Sequence, residues 1–398
     1  MQDNPESRSI VSGIGISDIG RRTGTPGLDM TLQAARAAIA DAGLEPSDID
    51  GIASMGDTAP GEVAAALGID PLDHTGGFPA GGLLDAVMSA MLAAGEGRAR
   101  HVLVYRTVQM MGGSIVPSGD AGPPPEPPPP LRRAAPPAGG GLADVMGDMS
   151  PLLAAHAYSA ANWLAMHCQR HMHLYGTTRE QLGWLAVNSR RNAGLNPLAV
   201  YREPITLEDH ANARIVSTPF GLLDCDVPVD GSIAVVISGQ GHAADCPHPV
   251  RVAAIGGNHT AAGWYQRPDF PKMASVGASA ELWSRTDLRP ADVDIAELYD
   301  GFSFLTFAWL EALGLVEEGG AGPFVEGATR IALDGELPLN TYGGQLSAGR
   351  MHGYWVLHEA CLQLRRQAGE RQVANDPEVA VVAAGGGPIA GCLLLTRP

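Results

Sequence analysis

Two stretches in the last third of the chain hold the side chains best suited to proton transfer. Residues 297–303 have the sequence Glu-Leu-Tyr-Asp-Gly-Phe-Ser, which places Tyr299 beside Asp300. Residues 340–353 add polar side chains spaced by glycines, and these are Tyr342, Ser347, Arg350 and His352. Tyrosine and histidine can act as general acids or bases, and a nearby cation lowers the pKa of a tyrosine. The two stretches therefore predict a site of acid–base chemistry.

The chain offers few groups that could form a covalent intermediate. It has five cysteines, none before Cys168, and its 26 Lys and Arg residues include one lysine, Lys272. Imine chemistry would depend on Lys272 alone, and its polar, proline-marked surroundings ahead of a predicted helix favour a solvated side chain. The cysteines are odd in number and lack the spacing of a metal site, which indicates a reducing compartment. Cys225 is expected to be a buried structural thiol.

These stretches resemble motifs of the thiolase superfamily in which the reactive residues have been replaced. Residues 340–353 are similar to N-x-x-G-G-x-x-S-x-G-H-P-x-G, with Arg350 at the position of the catalytic histidine. The surroundings of Tyr299 are similar to the E-x-H-D-x-F-S motif of sterol-carrier-protein thiolases, with the tyrosine at the histidine position. Residues 76–84 and 383–387 take the places of the family motifs C-x-S-G and C-x-G-G-G, and neither contains cysteine. The acyl-transfer chemistry of thiolases is therefore not expected.

Among thiolase relatives, the chain resembles the lipid-transfer-protein type of thiolase-like aldolase from bacterial steroid side-chain degradation. The resemblance rests on Tyr299, on the Val-Leu-Val-Tyr-Arg sequence of residues 102–106 and on the Gly-Gly-x-Leu-Ser turn. It implies retro-aldol cleavage of a branched β-hydroxyacyl-CoA into a ketone and a short acyl-CoA, with no cofactor beyond the coenzyme A of the substrate. It also implies a homodimer within a complex that includes a small acyl-CoA-binding protein with an OB-fold and a zinc ribbon. The chain departs from those aldolases at Arg350, where they generally carry a second catalytic tyrosine.

Retro-aldol cleavage needs a base for the substrate hydroxyl and donors for the enolate that forms. Tyr299 is the expected base, with Arg350 as the cation that lowers its pKa. His352 is a rival base, because the pKa of histidine lies near neutrality. Arg350 could instead pair with a carboxylate, either Glu297 or Asp300. The residues expected to bind substrate, several of them through backbone amides, are Asp300, Tyr342, Gly343, Gly344, Ser347, Gly385, Gly386 and Gly387.

Two other functions stay open from the sequence. One is a condensing or decarboxylating enzyme of the thiolase type that works without cysteine, in which His352 replaces the lost base. The other is a non-catalytic subunit that binds acyl-CoA and acts as a scaffold for its partner. A loss of activity in a Tyr299→Phe variant would exclude the scaffold.

An internal repeat predicts the fold. The sequence Leu-Glu-Pro-Ser-Asp-Ile-Asp at residues 44–50 returns as Leu-Arg-Pro-Ala-Asp-Val-Asp at residues 288–294, each copy between a predicted helix and an apolar run. Two copies of such a unit are the layout of the thiolase fold, an α/β architecture in which duplicated βαβ-rich halves form a five-layer αβαβα core. The halves are predicted at residues 1–250 and 251–398. The first half also holds a Pro-rich insertion and a helical loop region, at residues 117–141 and 142–220.

Composition bears on location and partners. A net charge of -17 does not suit a nucleic-acid partner. The first residues lack a signal-peptide pattern, and no uncharged stretch of membrane-spanning length follows, so a cytoplasmic protein without a membrane partner is expected. Three histidines, His167, His171 and His173, fall on one predicted helix. No carboxylate or cysteine pattern accompanies them, so the sequence predicts a solvated helix face and no metal site.

Overall fold

The computed structural model describes residues 4–398 except 56–57, 71, 77–81, 112–148, 260–263 and 265. The Pro-rich insertion at 117–141 and the middle of the 76–84 segment therefore lie outside the described residues. Within the part that is described, every helix is too short or too polar to span a lipid bilayer.

Strands and helices alternate along most of the chain. The strands are β1 Ser9–Ile16, β2 Gly51–Ser54, β3 His74–Gly76, β4 His101–Gln109, β5 Ile215–Ser217, β6 Phe220–Gly221, β7 Asp230–Gly239, β8 Val250–His259, β9 Ile295–Leu298, β10 Val379–Gly386 and β11 Ile389–Thr396. The α-helices are α1 Gly27–Asp41, α2 Pro60–Leu67, α3 Asp85–Gly95, α4 Ser150–Ala154, α5 Ala160–Tyr175, α6 Arg179–Gly194, α7 Leu207–Asn212, α8 Ala274–Ser284, α9 Ser303–Ala312, α10 Ala321–Val325 and α11 Tyr354–Leu364.

The main sheet repeats one strand order in the two halves of the chain. The order is β3-β2-β4-β7-β1-β8-β11-β10-β9, so β1, β7, β4 and β2 correspond to β8, β11, β10 and β9. The counterpart of β3 is a parallel bridge between Leu339 and Ala296. β1 and β8 pair only briefly, through Ile10 with Arg251, and this pairing makes the hydrogen bonding continuous across both halves. The repeat seen in the sequence is thus a repeat of topology, while the division into domains at residue 250 stays a prediction.

Two helices pack between the strands of the first half and those of the second half, and other helices pack on the opposite, outer face of each half. α3 and α11 each contact strands of both halves and form the middle layer, whereas α1 packs on β1 and β7, and α8 on β8 and β11. The outer contacts are close enough to need glycine. A Cβ atom at Gly13 would lie 2.0 Å from the Ala38 carbonyl oxygen in α1, and one at Gly256 would lie 2.1 Å from the Ala278 carbonyl oxygen in α8. The same close approach of helix and strand therefore occurs in both halves.

The helical region between β4 and β7 supports the loop that follows Leu339. α6 begins with a capping box, in which the Thr178 hydroxyl accepts from the Gln181 amide. Two asparagines near the other end of α6 turn towards the loop backbone. Asn192 donates to the Leu339 carbonyl at 3.2 Å, and Asn196 donates to the Tyr342 carbonyl at 2.8 Å. A buried amide that satisfies a buried carbonyl fixes the loop against the helix.

The histidines of α5 correct one prediction. His173 is exposed, but His167 and His171 are buried, with 0% and 4% of their surface exposed. His167 contacts the Pro271 and Trp264 carbonyls, and His171 lies between the Thr177 hydroxyl and the Glu311 carboxylate. The prediction of a solvated helix face was therefore wrong for His167 and His171, because later segments of the chain cover that part of α5. Within the described residues, no group of His, Cys, Asp and Glu has the geometry of a metal site.

Candidate active site

The glycine turn after Tyr342 is built around the carboxylate of Asp300. Gly343 has a φ of 107°, and residues 344–348 form one turn of π-helix. The amides of Gln345 and Leu346 donate to the two Asp300 oxygens at 2.8 and 3.4 Å. A Cβ atom at Gly344 would lie 2.0 Å from Asp300 Oδ2, so only glycine allows this approach. The observed hydrogen bonds of Asp300 lie within the protein and make it a support of the turn. The substrate contacts predicted for Asp300, Gly343 and Gly344 stay predictions.

Tyr342 and Ser347 support the same turn from behind. Tyr342 is fully buried and stacks on Trp355 with ring centroids 5.2 Å apart. Ser347 accepts a hydrogen bond from Arg190 Nε at 2.9 Å. The contacts of both side chains are thus with α6 and α11, and the substrate binding predicted for Tyr342 and Ser347 stays a prediction.

Tyr299 follows β9 and is held next to the position of the lost family cysteine. Its amide donates to the Ala383 carbonyl at 2.9 Å. Its ring passes over Gly301, where a Cβ atom would lie 2.6 Å from the ring. Burial, aided by Asp226 and Asp300, raises the pKa of the Tyr299 phenol, whereas Arg350 lowers it. Arg350 thus acts in the predicted direction, but it is outweighed, and Tyr299 is a neutral phenol at neutral pH.

Arg350 pairs with a carboxylate that the sequence did not single out. Its Nη1 lies 3.3 Å from Asp226 Oδ1, and its Nε lies 3.1 Å from the sulfur of Met110. The expected partners were Glu297 and Asp300. Glu297 instead accepts from the Thr341 hydroxyl at 2.6 Å, while Asp300 is occupied by the glycine turn.

Asp226 has unusual protonation chemistry. Burial raises the pKa of its carboxyl to about 7, although the Arg350 guanidinium opposes that rise, and Asp300 adds to it. A carboxyl group with a pKa near neutrality can take up and release protons under working conditions.

His352 is held as a neutral hydrogen-bond donor. Its Nδ1 lies 3.0 Å from Nη2 and 3.3 Å from Nε of Arg106, and Nδ1 therefore accepts. Burial, together with the Arg106 and Arg350 cations, lowers the pKa of His352 well below its usual value. These contacts assign the single ring hydrogen to Nε2. His352 in this state can donate to an oxygen but cannot use Nε2 as a base, which argues against its role as the rival base.

The backbone of residues 385–387 is only partly suited to the role predicted for it. The Gly387 amide donates to the Met273 sulfur at 2.9 Å, and the Gly385 carbonyl accepts from Trp309 Nε1 at 3.0 Å. The Trp264 ring covers Gly387, where a Cβ atom would lie 2.1 Å from it. The Gly387 amide is therefore engaged and does not fit the expected enolate donor, whereas that role for Gly385 and Gly386 stays a prediction.

Comparison with known proteins places this site in a family. Residues 256–393 match the family model described as thiolase C-terminal domain-like. The chain is 34% identical over 399 residues to a steroid side-chain-cleaving aldolase of Thermomonospora curvata, with 97% of both chains covered. The chain belongs to the thiolase superfamily.

Two further relatives agree with this membership of the thiolase superfamily. The chain is 34% identical over 406 residues to the 17-hydroxy-3-oxo-4-pregnene-20-carboxyl-CoA lyase of Mycobacterium tuberculosis, covering 97% of this chain and 99% of the lyase. The solved structure of the Ltp2-ChsH2(DUF35) aldolase matches with a TM-score of 0.86 and 31% identity, covering 98% of each chain. The thiolase fold predicted from the internal repeat is confirmed.

Three residues of this thiolase-superfamily site were missed as functional residues by the sequence analysis. Arg106 ends the Val-Leu-Val-Tyr-Arg sequence of β4, and Asp226 lies in the acidic segment that leads into β7. Gln345 follows the two glycines, accepts from the His352 amide at 3.2 Å and lowers the pKa of Tyr299. Arg106 and Gln345 lie in motifs that the sequence analysis quoted, which was a signal, but only the folded chain brings Arg106 and Asp226 to the glycine turn.

Proposed function

We propose that this chain is an acyl-CoA aldolase that cleaves a branched β-hydroxyacyl-CoA of the steroid side-chain type to a ketone and a short acyl-CoA. The observation that carries the proposal is the cluster of Tyr299, Arg350 and Asp226 where a thiolase holds histidines. This cluster offers proton transfer and a cation but no nucleophile for an acyl-enzyme. The aldolase and lyase activities named for relatives that are 34% identical over nearly the whole chain agree with it.

The proposed cleavage uses acid–base chemistry throughout. The hydroxyl on C3 of the substrate loses its proton, the C2–C3 bond breaks, and its electrons move onto the thioester oxygen as an enolate. Tyr299 takes part in the transfer of the proton from the substrate hydroxyl. The His352 Nε2–H group donates a hydrogen bond to the enolate oxygen. A preorganised donor of this kind stabilises the charge that develops in the transition state. No residue is acylated, so replacement of both family cysteines is compatible with turnover.

The two alternative functions are less well supported. A condensing or decarboxylating enzyme with His352 as base would need a free lone pair on that ring, but Nδ1 accepts from Arg106. A scaffold without catalysis would not need a buried carboxylate next to a buried phenol. Such groups lower the stability of a fold unless they are paired, and they cluster at functional sites.

The proposed assembly is a homodimer within a heteromeric complex in the cytoplasm, with a small OB-fold and zinc-ribbon protein that binds acyl-CoA. No cofactor is proposed beyond the coenzyme A of the substrate. The Ltp2-ChsH2(DUF35) aldolase, whose structure matches this chain, supports a heteromeric partner. Exposed apolar side chains on α5 and β5, namely Met166, Ile215 and Val216, offer a surface of the kind that partners cover. Co-expression with such a partner should give a monodisperse complex by light scattering, whereas a stable, active homodimer on its own would contradict the partner.

The activity is tested with a matched pair of substrates. A β-hydroxyacyl-CoA with a tertiary hydroxyl on C3 is incubated with the chain and its co-expressed partner, beside the same thioester without that hydroxyl. We expect equal amounts of ketone and short acyl-CoA from the first and no change in the second, as measured by liquid chromatography with mass detection. Release of free coenzyme A from both would indicate hydrolysis and contradict the proposal.

A further inference from the structure

The segment that carries Asp226 joins the two loops of the site. The Asp226 amide donates to the Gly301 carbonyl at 3.2 Å, just after Tyr299. The next residue, Val227, donates to the Gln345 carbonyl at 2.9 Å and accepts from the Arg350 amide at 2.8 Å. Residues 226–227 are therefore fixed between the tyrosine loop and the arginine loop by backbone hydrogen bonds. The Asp226 side chain, 9% exposed, is held in this position against Arg350.

Among the described residues of the site, Asp226 is the side chain best suited to accept the proton. Tyr299 is a phenol whose pKa is raised, and His352 has its Nδ1 lone pair engaged by Arg106. Asp300 has a pKa raised to about 6, but both of its oxygens accept from the glycine turn. Asp226 contacts Arg350. The charge of Asp226 also contributes to the raised pKa values of the Tyr299 phenol and the Cys225 thiol.

We propose that Asp226 is the proton acceptor of the cleavage and works through the hydroxyl of Tyr299. The inference rests on the proposed function and adds to it the group that is protonated when the substrate hydroxyl loses its proton. The C3 hydroxyl of the substrate passes its proton to the Tyr299 oxygen as the phenol passes its own proton to the Asp226 carboxylate. The C2–C3 bond then breaks to give the ketone and the enolate. The proton returns from Asp226 through Tyr299 to C2, which restores the carboxylate and completes the short acyl-CoA.

This role explains why an arginine can occupy position 350. Arg350 opposes the rise in the pKa of Asp226 that burial causes, so it keeps a fraction of that carboxyl ionised at neutral pH. Because the ionised carboxylate is the form that accepts a proton, the turnover rate should rise with pH as Asp226 loses its own proton. Removal of Arg350 should shift that rise to higher pH.

The test is a set of pH–rate profiles for the chain in complex with its co-expressed partner. Wild type should show an acid limb in kcat near pH 7, in line with a carboxyl pKa of about 7. Asp226→Asn should remove this limb and lower kcat at pH 8 by about tenfold or more, with KM for the thioester nearly unchanged. Asp226→Glu, which keeps the carboxylate, should restore the limb. A purely structural role would not tie the limb to the carboxylate.

A second variant keeps the inference testable if Asp226→Asn does not fold. Arg350→Met should shift the acid limb to higher pH, since the cation that favours the ionised carboxylate is gone. An unshifted limb in Arg350→Met, or a wild-type kcat and limb in Asp226→Asn, would overturn the inference. A limb near pH 6 that survives in Asp226→Asn would assign it to Asp300 and also overturn it. In each of these cases ketone formation by wild type would leave the proposed function intact, whereas no ketone at all would contradict both.

Discussion

The two halves of this protein have the same strand order but carry very different side chains at corresponding positions. β2 and β9 are both buried, four-residue strands, and each pairs in parallel with the strand next to it. The third residue is Ala53 in β2 and Glu297 in β9. The residue after each strand is Met55 or Tyr299, respectively. The fold is thus duplicated, whereas the ionisable groups of the site are not.

The first half supplies two side chains, Arg106 and Asp226, to a site whose two loops lie in the second half. Arg106 in β4 donates to the Met55 carbonyl and to His352, so it links the loop after β2 to the arginine loop. Tyr299, Arg350 and His352 all come from the second half. β4 therefore supports the site through Arg106, whereas the proposed reacting groups are Tyr299 of the second half and Asp226 of the segment before β7. Substitutions in β4 and in the reacting groups should consequently affect different quantities.

The largest effect on turnover is expected from removal of the Tyr299 hydroxyl, and removal of a buried tyrosine hydroxyl in the first half is its control. Tyr299→Phe should lower kcat on the order of 10²-fold or more with little change in KM, as for a positioned acid–base group. Tyr105→Phe in β4 is the matched control, because its hydroxyl is also buried and donates to the Thr58 carbonyl at 2.6 Å. That control should lose about 1 kcal/mol of stability and keep its kcat. Near-wild-type cleavage in Tyr299→Phe, with none in His352→Ala, would make His352 the base.

The next effect concerns the link from the first half to the second. Arg106→Met removes the donor that fixes His352 and one of the cations that lower its pKa, so the pKa of His352 should rise. Turnover should fall about tenfold, since a less well-oriented donor stabilises the enolate less. Histidine NMR signals followed over pH would report the shift. Arg36→Met, exposed on α1, should change neither quantity, and an unaltered His352 titration in Arg106→Met would show that the two residues are not coupled.

A smaller effect is expected from the buried carboxyl of Glu297. Its burial, with Glu359 nearby, raises the pKa of Glu297 well above the usual value. The protonated form therefore favours the folded state, and this stability is full at low pH and is lost as pH rises through the folded-state pKa. Glu297→Gln should unfold within about 2 °C of wild type at pH 5 and at a higher temperature than wild type at pH 9. Calorimetry that finds the same pH dependence in both would contradict this.

The smallest effect is expected from the single lysine. Lys272 is 43% exposed and pairs with Glu318 at 3.1 Å. Lys272→Ala should keep most activity, because exposed ion pairs contribute little to stability and the cleavage needs no imine. Borohydride added during turnover should leave the mass of the protein unchanged. A trapped substrate adduct on wild type that is missing from Lys272→Ala would show imine chemistry.

Sequence alone predicted the fold better than it predicted the contacts among the candidate site residues. The repeat at residues 44–50 and 288–294 and the glycine spacing of 340–353 indicated the architecture, because backbone geometry restricts those positions. The partner of Arg350 could not be found that way. Asp226 lies more than a hundred residues away in sequence, and only the hydrogen bonds of residues 226–227 to both loops bring it to Arg350. Protonation states were equally hidden, since burial raised the pKa of Tyr299 against the effect of its cation.

The claim that the C2–C3 bond breaks to an enolate without an acyl-enzyme can be tested by cleavage in deuterium oxide. The enolate takes its new hydrogen from groups that exchange with solvent, so the short acyl-CoA should carry one deuterium at C2. The intact mass of the protein, quenched during turnover, should show no added acyl group. Recovered substrate and a sample of short acyl-CoA incubated with the protein control for unrelated exchange. A short acyl-CoA without deuterium, or an acylated protein, would contradict the account.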